Sequence, residues 1–352
     1  MKKQLCVFVS ACIVLVISNA RAADVPAPTG DAIVAPDAKW EYLYTRTAKI
    51  NGGLTEGPAV APDGSIFFTD IPFGEDRGLI VRFDPKTKTN TLFSEDSGKA
   101  NGLVFDRDGN LLACEGANLG GRCVSRWDMK TGRKKSIADG VDGKRFNAPN
   151  DICLDRDGRI YFTDPKYLGE EPQELKYMAV YCIEPNGSIR EATHEVSKPN
   201  GIAISPDGKT LYLADHDNGS TDVTKPGGQA GAMKIYSFPL EPSGHIGSPR
   251  RTIVDFGTKK GCDGMTVDAQ GHVYLTVREP TRPGVMVIDP DGKEIAFIPT
   301  GPSGQTGDKP VGLPSNVEFG IGDEANVLYC TIDLSMARIP LKVKGYHVQY
   351  AQ

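Results

Sequence analysis

One short motif recurs six times in phase along the chain, and six copies of a two-strand unit leave few folds open. The first copy runs from Glu56-Gly-Pro to Pro62-Asp-Gly64 and continues into Ser65-Ile-Phe-Phe-Thr-Asp70. Asn101-Gly-Leu-Val-Phe, Asn150-Asp-Ile-Cys-Leu, Asn200-Gly-Ile-Ala-Ile and Asp263-Gly-Met-Thr-Val open the next four, each followed by an Asp-Gly-type turn and a second apolar run. A degenerate sixth copy starts at Asn316-Val-Glu-Phe and returns through Asn326-Val-Leu-Tyr-Cys-Thr331. Each copy reads as a short strand, a tight turn and a returning strand. Further strand-like runs lie between copies, among them Leu79–Phe83, Val180–Ile183, Lys234–Phe238 and Val285–Ile288. Four short strands in roughly 50 residues is the period of a propeller blade. The expected fold is therefore all-β, a six-bladed β-propeller. Amphipathic helical stretches are missing, which argues against α/β folds, and a β-sandwich fits six in-phase repeats poorly. Trp40-Glu-Tyr-Leu-Tyr44 is expected to supply the outer strand of the last blade and close the ring.

The N-terminus reads as an export signal over residues 1–22: Lys2 and Lys3, an apolar run from Leu5 to Ile17, then Ala20-Arg-Ala22 as a cleavage site. The run is shorter than the roughly 20 residues a spanning helix needs. The expected location is periplasmic or secreted, with no membrane association once the signal is removed. Residues 23–38, rich in Pro and Ala, read as a linker, and 39–352 as the propeller. The full chain carries a formal charge of -5. Loss of Lys2, Lys3 and Arg21 makes the remainder more acidic. A nucleic-acid partner needs a basic footprint that this chain lacks. Six cysteines follow the signal. In an exported protein they are either disulfide-bonded or buried as free thiols, and Cys114 and Cys123 flank a short loop where a bridge could form.

The six opening residues, Glu56, Asn101, Asn150, Asn200, Asp263 and Asn316, are all polar. The first strand of each blade lines the channel, so these residues form a ring at one depth. Asn-Gly and Asp-Gly are also ordinary turn pairs, but Glu56 is not a turn-forming choice. Two acids and four amides converging in a channel are costly unless a cation neutralises them. Oxygen donors of this kind suit calcium, with magnesium, manganese or zinc as alternatives, and no His or Cys opens a repeat. The loops after each second strand hang over the ring: Asp70 to Gly78, Glu115 to Asn118, Asp164 to Leu175, Asp215 to Gly231 and Arg278 to Pro280. Binding residues gather on such loops, which makes Glu115 a substrate-contact candidate, and their polar side chains suggest a hydrophilic ligand.

Glu56-Gly-Pro, Pro149-Asn150-Asp151, Pro199-Asn200-Gly201 and Cys262-Asp263-Gly264 resemble the metal-site motifs of the gluconolactonase/SMP-30 (regucalcin) family. Tyr161-Phe-Thr-Asp-Pro165, with Tyr167 soon after, resembles the bacterial gluconolactonases. Lys166 and the Gly169–Pro172 stretch depart from the shorter loop expected there. The resemblance implies a divalent cation on Glu56, Asn150, Asn200 and Asp263. It also implies Asp263 as general base, and substrate or second-ion contacts for Asn101 and Asp151. It implies hydrolysis of a sugar lactone. The alternatives are a related metal-dependent esterase or phosphotriesterase, or a non-enzymatic binding propeller, though a scaffold has no need of two acids in its channel. A covalent route finds little support: there is no G-x-S-x-G elbow and none of the five histidines opens a repeat.

Overall fold

The computed structural model describes residues 25–47 and 52–351. Among them are six four-stranded antiparallel sheets arranged as a six-bladed β-propeller, and one small extra hairpin at Gly140–Arg145. Blade one consists of Leu54–Val60, Ile66–Ile71, Leu79–Asp84 and Thr89–Ser94. Blade two opens at Ala100–Phe105, blade three at Ile152–Leu154, blade four at Pro199–Ile204 and blade five at Cys262–Val267. Blade six takes Pro314–Phe319, Val327–Ile332 and Ser335–Pro340 from the end of the chain and its outer strand, Glu41–Thr45, from the start. That pairing, Glu41 opposite Arg338 and Thr45 opposite Ser335, leaves no open edge at the ring junction. The expected closure is thus present.

The core is divided among the seams between blades. Each of the six seams has its own buried apolar cluster, such as Ala59, Phe67, Phe105 and Leu111 between blades one and two. Edge-to-face aromatic pairs bridge some seams, including Phe67 with Phe105 at 5.2 Å and Tyr274 with Phe319 at 5.0 Å. The Asp-Gly turns behave as read. Asp106 Oδ1, for example, accepts the amides of Asp108 and Asn110.

Residues 25–38 are not a free linker. Thr29 bridges to Phe297, and Ile33 and Val34 are buried against blades five and six. Two β-compatible apolar residues inside a Pro-rich stretch suffice to dock it. Residues 1–22, read as an export signal, lie outside the described residues. At the far end, residues after Pro340 cross the turn face of the propeller. Gly345 bridges Asp268, and the Tyr350 hydroxyl donates to the Val60 carbonyl at 2.9 Å. Among the described residues the six cysteines, including Cys114 and Cys123, are free thiols. No helix among the described residues is long and apolar enough to cross a membrane.

Candidate active site

The inner strands carry their ring residues on irregularities of the ladder. Register shifts fall between Glu56 and Ala59, Ala100 and Leu103, Pro199 and Ile202, Cys262 and Met265, and Pro314 and Asn316. A bulge re-aims the side chain it carries, and here it does so in five blades at the same level. In blade three the ladder starts only at Ile152, past the ring residue, and the Asn150 amide instead donates to the Thr163 carbonyl at 2.8 Å.

Glycines after the ring residues explain how the inner strands come so close. A methyl group on Gly57 would overlap the Asn101 carbonyl, and one on Gly264 would overlap the Asn316 amide. Gly102 and Gly201 meet the backbones of Asn150 and Asp263 in the same way. These Asn-Gly and Asp-Gly pairs are therefore interblade contacts and not turns. Blade three has Asp151 in the glycine place. Its buried carboxylate accepts from the amides of Ile152 at 3.0 Å and Ile202 at 3.4 Å, and from Asn316 Nδ2 at 3.5 Å.

Glu56, Asn101, Asn150, Asn200 and Asp263 line one cavity of about 730 Å³ on the loop face. Asn316 and Asp151 sit beside it, tied to each other, and are not among its lining residues. Glu115 is elsewhere. It is buried against Gly98 and Gly121 and ion-paired with Lys134 at 3.1 Å, so it braces blade two and does not face the cavity. The loop behind it supports the site indirectly: Asn118 Nδ2 donates to the Phe73 carbonyl at 2.8 Å, and Glu171 accepts the Asn118 amide at 3.1 Å.

Three further residues at the cavity were not assigned a role from the motif pattern. The Arg278 guanidinium lies 3.4 Å from Asp263 and also donates to the Pro314 carbonyl. Because Cys262 pairs with Val277, Arg278 follows directly at the strand end beside Asp263, a juxtaposition the register gives and the motif alone does not. The Tyr167 hydroxyl donates to the His216 carbonyl at 2.9 Å and accepts from Asn200 Nδ2 at 3.2 Å, which holds the Asn200 amide in place. His216 Nδ1 donates to the Cys262 carbonyl at 2.8 Å, leaving Nε2 as an acceptor. Burial lowers this imidazole below its ordinary range despite the opposing charge of Asp263, which favours the neutral ring.

Electrostatics mark Glu56. Burial first, and then the charge of Asp263, push its carboxyl well above the usual carboxylate range; Arg278 opposes them and Asp151 adds to them. Its one hydrogen bond comes from the Gly57 amide at 3.1 Å. Among the described residues, the side-chain amides of Asn101 and Asn150 have no hydrogen-bond partner, and both face the cavity. Acids that repel one another, next to unpartnered amides, form a donor set that suits an oxygen-liganded cation. Among the described residues no group of three or more His, Cys, Asp or Glu is placed to hold a metal ion. A cation at this ring would therefore be held by amide oxygens together with Glu56 and Asp263.

The lining above the ring is less polar than the loop sequences suggest. Leu54, Ile71, Phe73, Leu168, Val223 and Met233 all face it. They stand in the same lining as the polar loop side chains that suggest a hydrophilic ligand. The signal was present in Leu54 and Ile71, but which face of a strand they occupy depends on the bulge.

Residues 54–332 match the family model described as SMP-30/Gluconolactonase/LRE-like region. The chain is 27% identical over 335 residues to a gluconolactonase of Zymomonas mobilis subsp. mobilis, covering 89% of this chain and 82% of that one. A solved gluconolactonase from Xanthomonas campestris superposes with a TM-score of 0.72 at 26% identity, over 91% of this chain and 96% of that one. Regucalcin from Agrobacterium tumefaciens, described as a calcium-binding protein, shares the fold with a TM-score of 0.66 at 20% identity, over 88% and 96% of the two chains.

Proposed function

The chain belongs to the SMP-30/gluconolactonase/LRE-like family, and from that premise we propose that it hydrolyses a sugar lactone to the open-chain aldonic acid with the help of a divalent cation. One observation carries this reading: Glu56, Asn150, Asn200 and Asp263 meet in one cavity, where Glu56 is forced towards its protonated form by burial and by Asp263. The gluconolactonases it resembles support the substrate class. The calcium-binding relative supports calcium as the first ion to test, with magnesium, manganese and zinc as rivals.

Ring opening adds water across the acyl C–O bond. The water oxygen bonds to the carbonyl carbon, the ring oxygen leaves with the electron pair of the broken bond, and that oxygen takes up a proton. Asp263 accepts the proton the water gives up and is the group placed to return it. Arg278 fixes the orientation of that carboxylate from 3.4 Å. Glu56, Asn150, Asn200 and Asp263 would hold the cation, which when bound supplies Lewis-acid polarisation of the lactone carbonyl. Tyr167 keeps the Asn200 amide turned to the ring, and neutral His216 offers an acceptor to a substrate hydroxyl. Asn101 contacts the substrate in this reading, which its position in the cavity lining supports. An exported location, periplasmic or beyond, is part of the same proposal and rests on the basic-apolar-small order of residues 1–22.

The test is acid release from glucono-δ-lactone by the purified chain, before and after chelation and after readdition of each ion. Cation-dependent turnover supports the proposal. Turnover that survives complete chelation contradicts the cation's part in it, and no turnover of any lactone contradicts the whole.

A further inference from the structure

The cavity has two apolar patches that a sugar lactone leaves idle. On the blade-one side, Leu54 and Ile71 are direct cross-strand partners, and Phe73 follows two residues later, packed over Gly52. Leu54 and Phe73 are half-buried and line the cavity. On the side of blades three and four, Leu168 adjoins Tyr167, whose carbonyl accepts the Val223 amide at 2.8 Å. That bond brings Leu168 and Val223 together although they come from different loops. Val223 is 40% exposed, one of four exposed large hydrophobics among the described residues. Both patches line the same volume as the polar ring.

An apolar patch gains nothing from a hydroxyl-covered ligand and gains steadily from each apolar atom it takes out of water. The volume of about 730 Å³ lies well inside the range of roughly 300–1,000 Å³ found for drug-sized ligands, whereas a bare sugar lactone is much smaller. The cavity carries the polar ring, where a lactone carbonyl has to be, and both apolar patches, with Asn218, Gln229, Lys259 and Lys260 also in its lining. We infer that this site also hydrolyses lactones carrying an alkyl arm, and that it selects among them by the length of that arm, which lies against Leu54, Phe73, Leu168 and Val223. The inference rests on the lactonase reading of the ring below. The bond changes are those of sugar-lactone hydrolysis, with water the only co-reactant.

The experiment compares kcat/KM for γ-butyrolactone, γ-hexalactone, γ-octalactone and γ-decalactone, with glucono-δ-lactone as reference, in the wild-type chain and in the Phe73→Ser and Val223→Ser variants. In wild type, kcat/KM should rise about three- to fourfold per added methylene until the arm outgrows the pocket. Each variant should flatten that rise. Val223 sits in a surface loop, so its variant remains informative if Phe73→Ser folds poorly. A flat or falling series in a wild-type protein that turns over glucono-δ-lactone overturns the inference and leaves the lactonase reading standing. A rise that both variants leave unchanged also overturns it. Turnover of no lactone in the set overturns the lactonase reading, and this inference with it.

Discussion

At Glu56 two effects act in the same direction. Burial disfavours the charged carboxyl, and Asp263 adds like charge, while only Arg278 and the Gly57 amide offer compensation. A cation would reverse that balance. Glu56→Gln is therefore expected to leave the cation-free protein at least as thermally stable as wild type, and to abolish the rise in melting temperature that calcium causes in wild type. Differential scanning calorimetry with and without calcium checks both halves. Asp263→Asn keeps the side-chain shape but cannot take a proton. It should lower kcat for lactone by about 10²- to 10⁴-fold with an unchanged circular dichroism spectrum. Glu56 and Asp263 were legible in the sequence because they open in-phase repeats. Glu115 misled because its place in the repeat, at the end of a second strand, says which face of the ring it is near but not which neighbour claims it. Lys134, on the outer strand of the same blade, does. Arg278 was hidden for the converse reason: it lies outside the motif and reaches Asp263 only through strand register.

The inner strand is the element on which the site depends, and its bulges were not visible in a pattern of apolar alternation. What the repeats did show was the pair of residues at the bulge, and the glycine's purpose emerged only in three dimensions. Gly264→Ala should push against the Asn316 amide in the adjacent blade, destabilising the fold by about 1–3 kcal/mol and reducing cation affinity, both measurable by calorimetry. The C-terminal segment has its own signature. His347 Nδ1 lies 3.6 Å from Glu318, whose Oε1 also accepts from Thr266 and from the Phe319 amide. Burial raises the Glu318 carboxyl to about 8 from 4.5. Burial also pushes His347 down to about 4 from 6.5. A raised carboxyl contributes stability that is complete below its unfolded value and is lost as pH rises through its folded one. A lowered imidazole contributes stability that is lost as pH falls towards its folded value. The two trends oppose each other from about pH 4.5 to 6.5, and Glu318 acts alone from about 6.5 to 8. Melting temperature should accordingly fall between about pH 6.5 and 8 in wild type, and Glu318→Gln should remove this group's share of that fall. An equal fall in the variant would show that Glu318 is not its source.

Over the whole molecule, the repeat count predicted both the number of blades and the closure by a strand from the start of the chain, because six units can bury their edges only as a ring. The docking of residues 25–38 and of the tail was not foreseen, since both are short, lack repeat phase and find their partners on distant blades. The rigid ring holds residues far apart in sequence at one level, which no single blade could do. Cation, lactone chemistry and apolar arm would then share one cavity at the loop face. The most direct measurement is an anomalous-difference map from crystals soaked in manganese or grown with calcium. One peak is expected on the propeller axis, at about 2.0–2.6 Å from oxygens of Glu56, Asn150, Asn200 and Asp263. No peak at saturating ion, or one held by other residues while these four side chains stay unliganded, would contradict it.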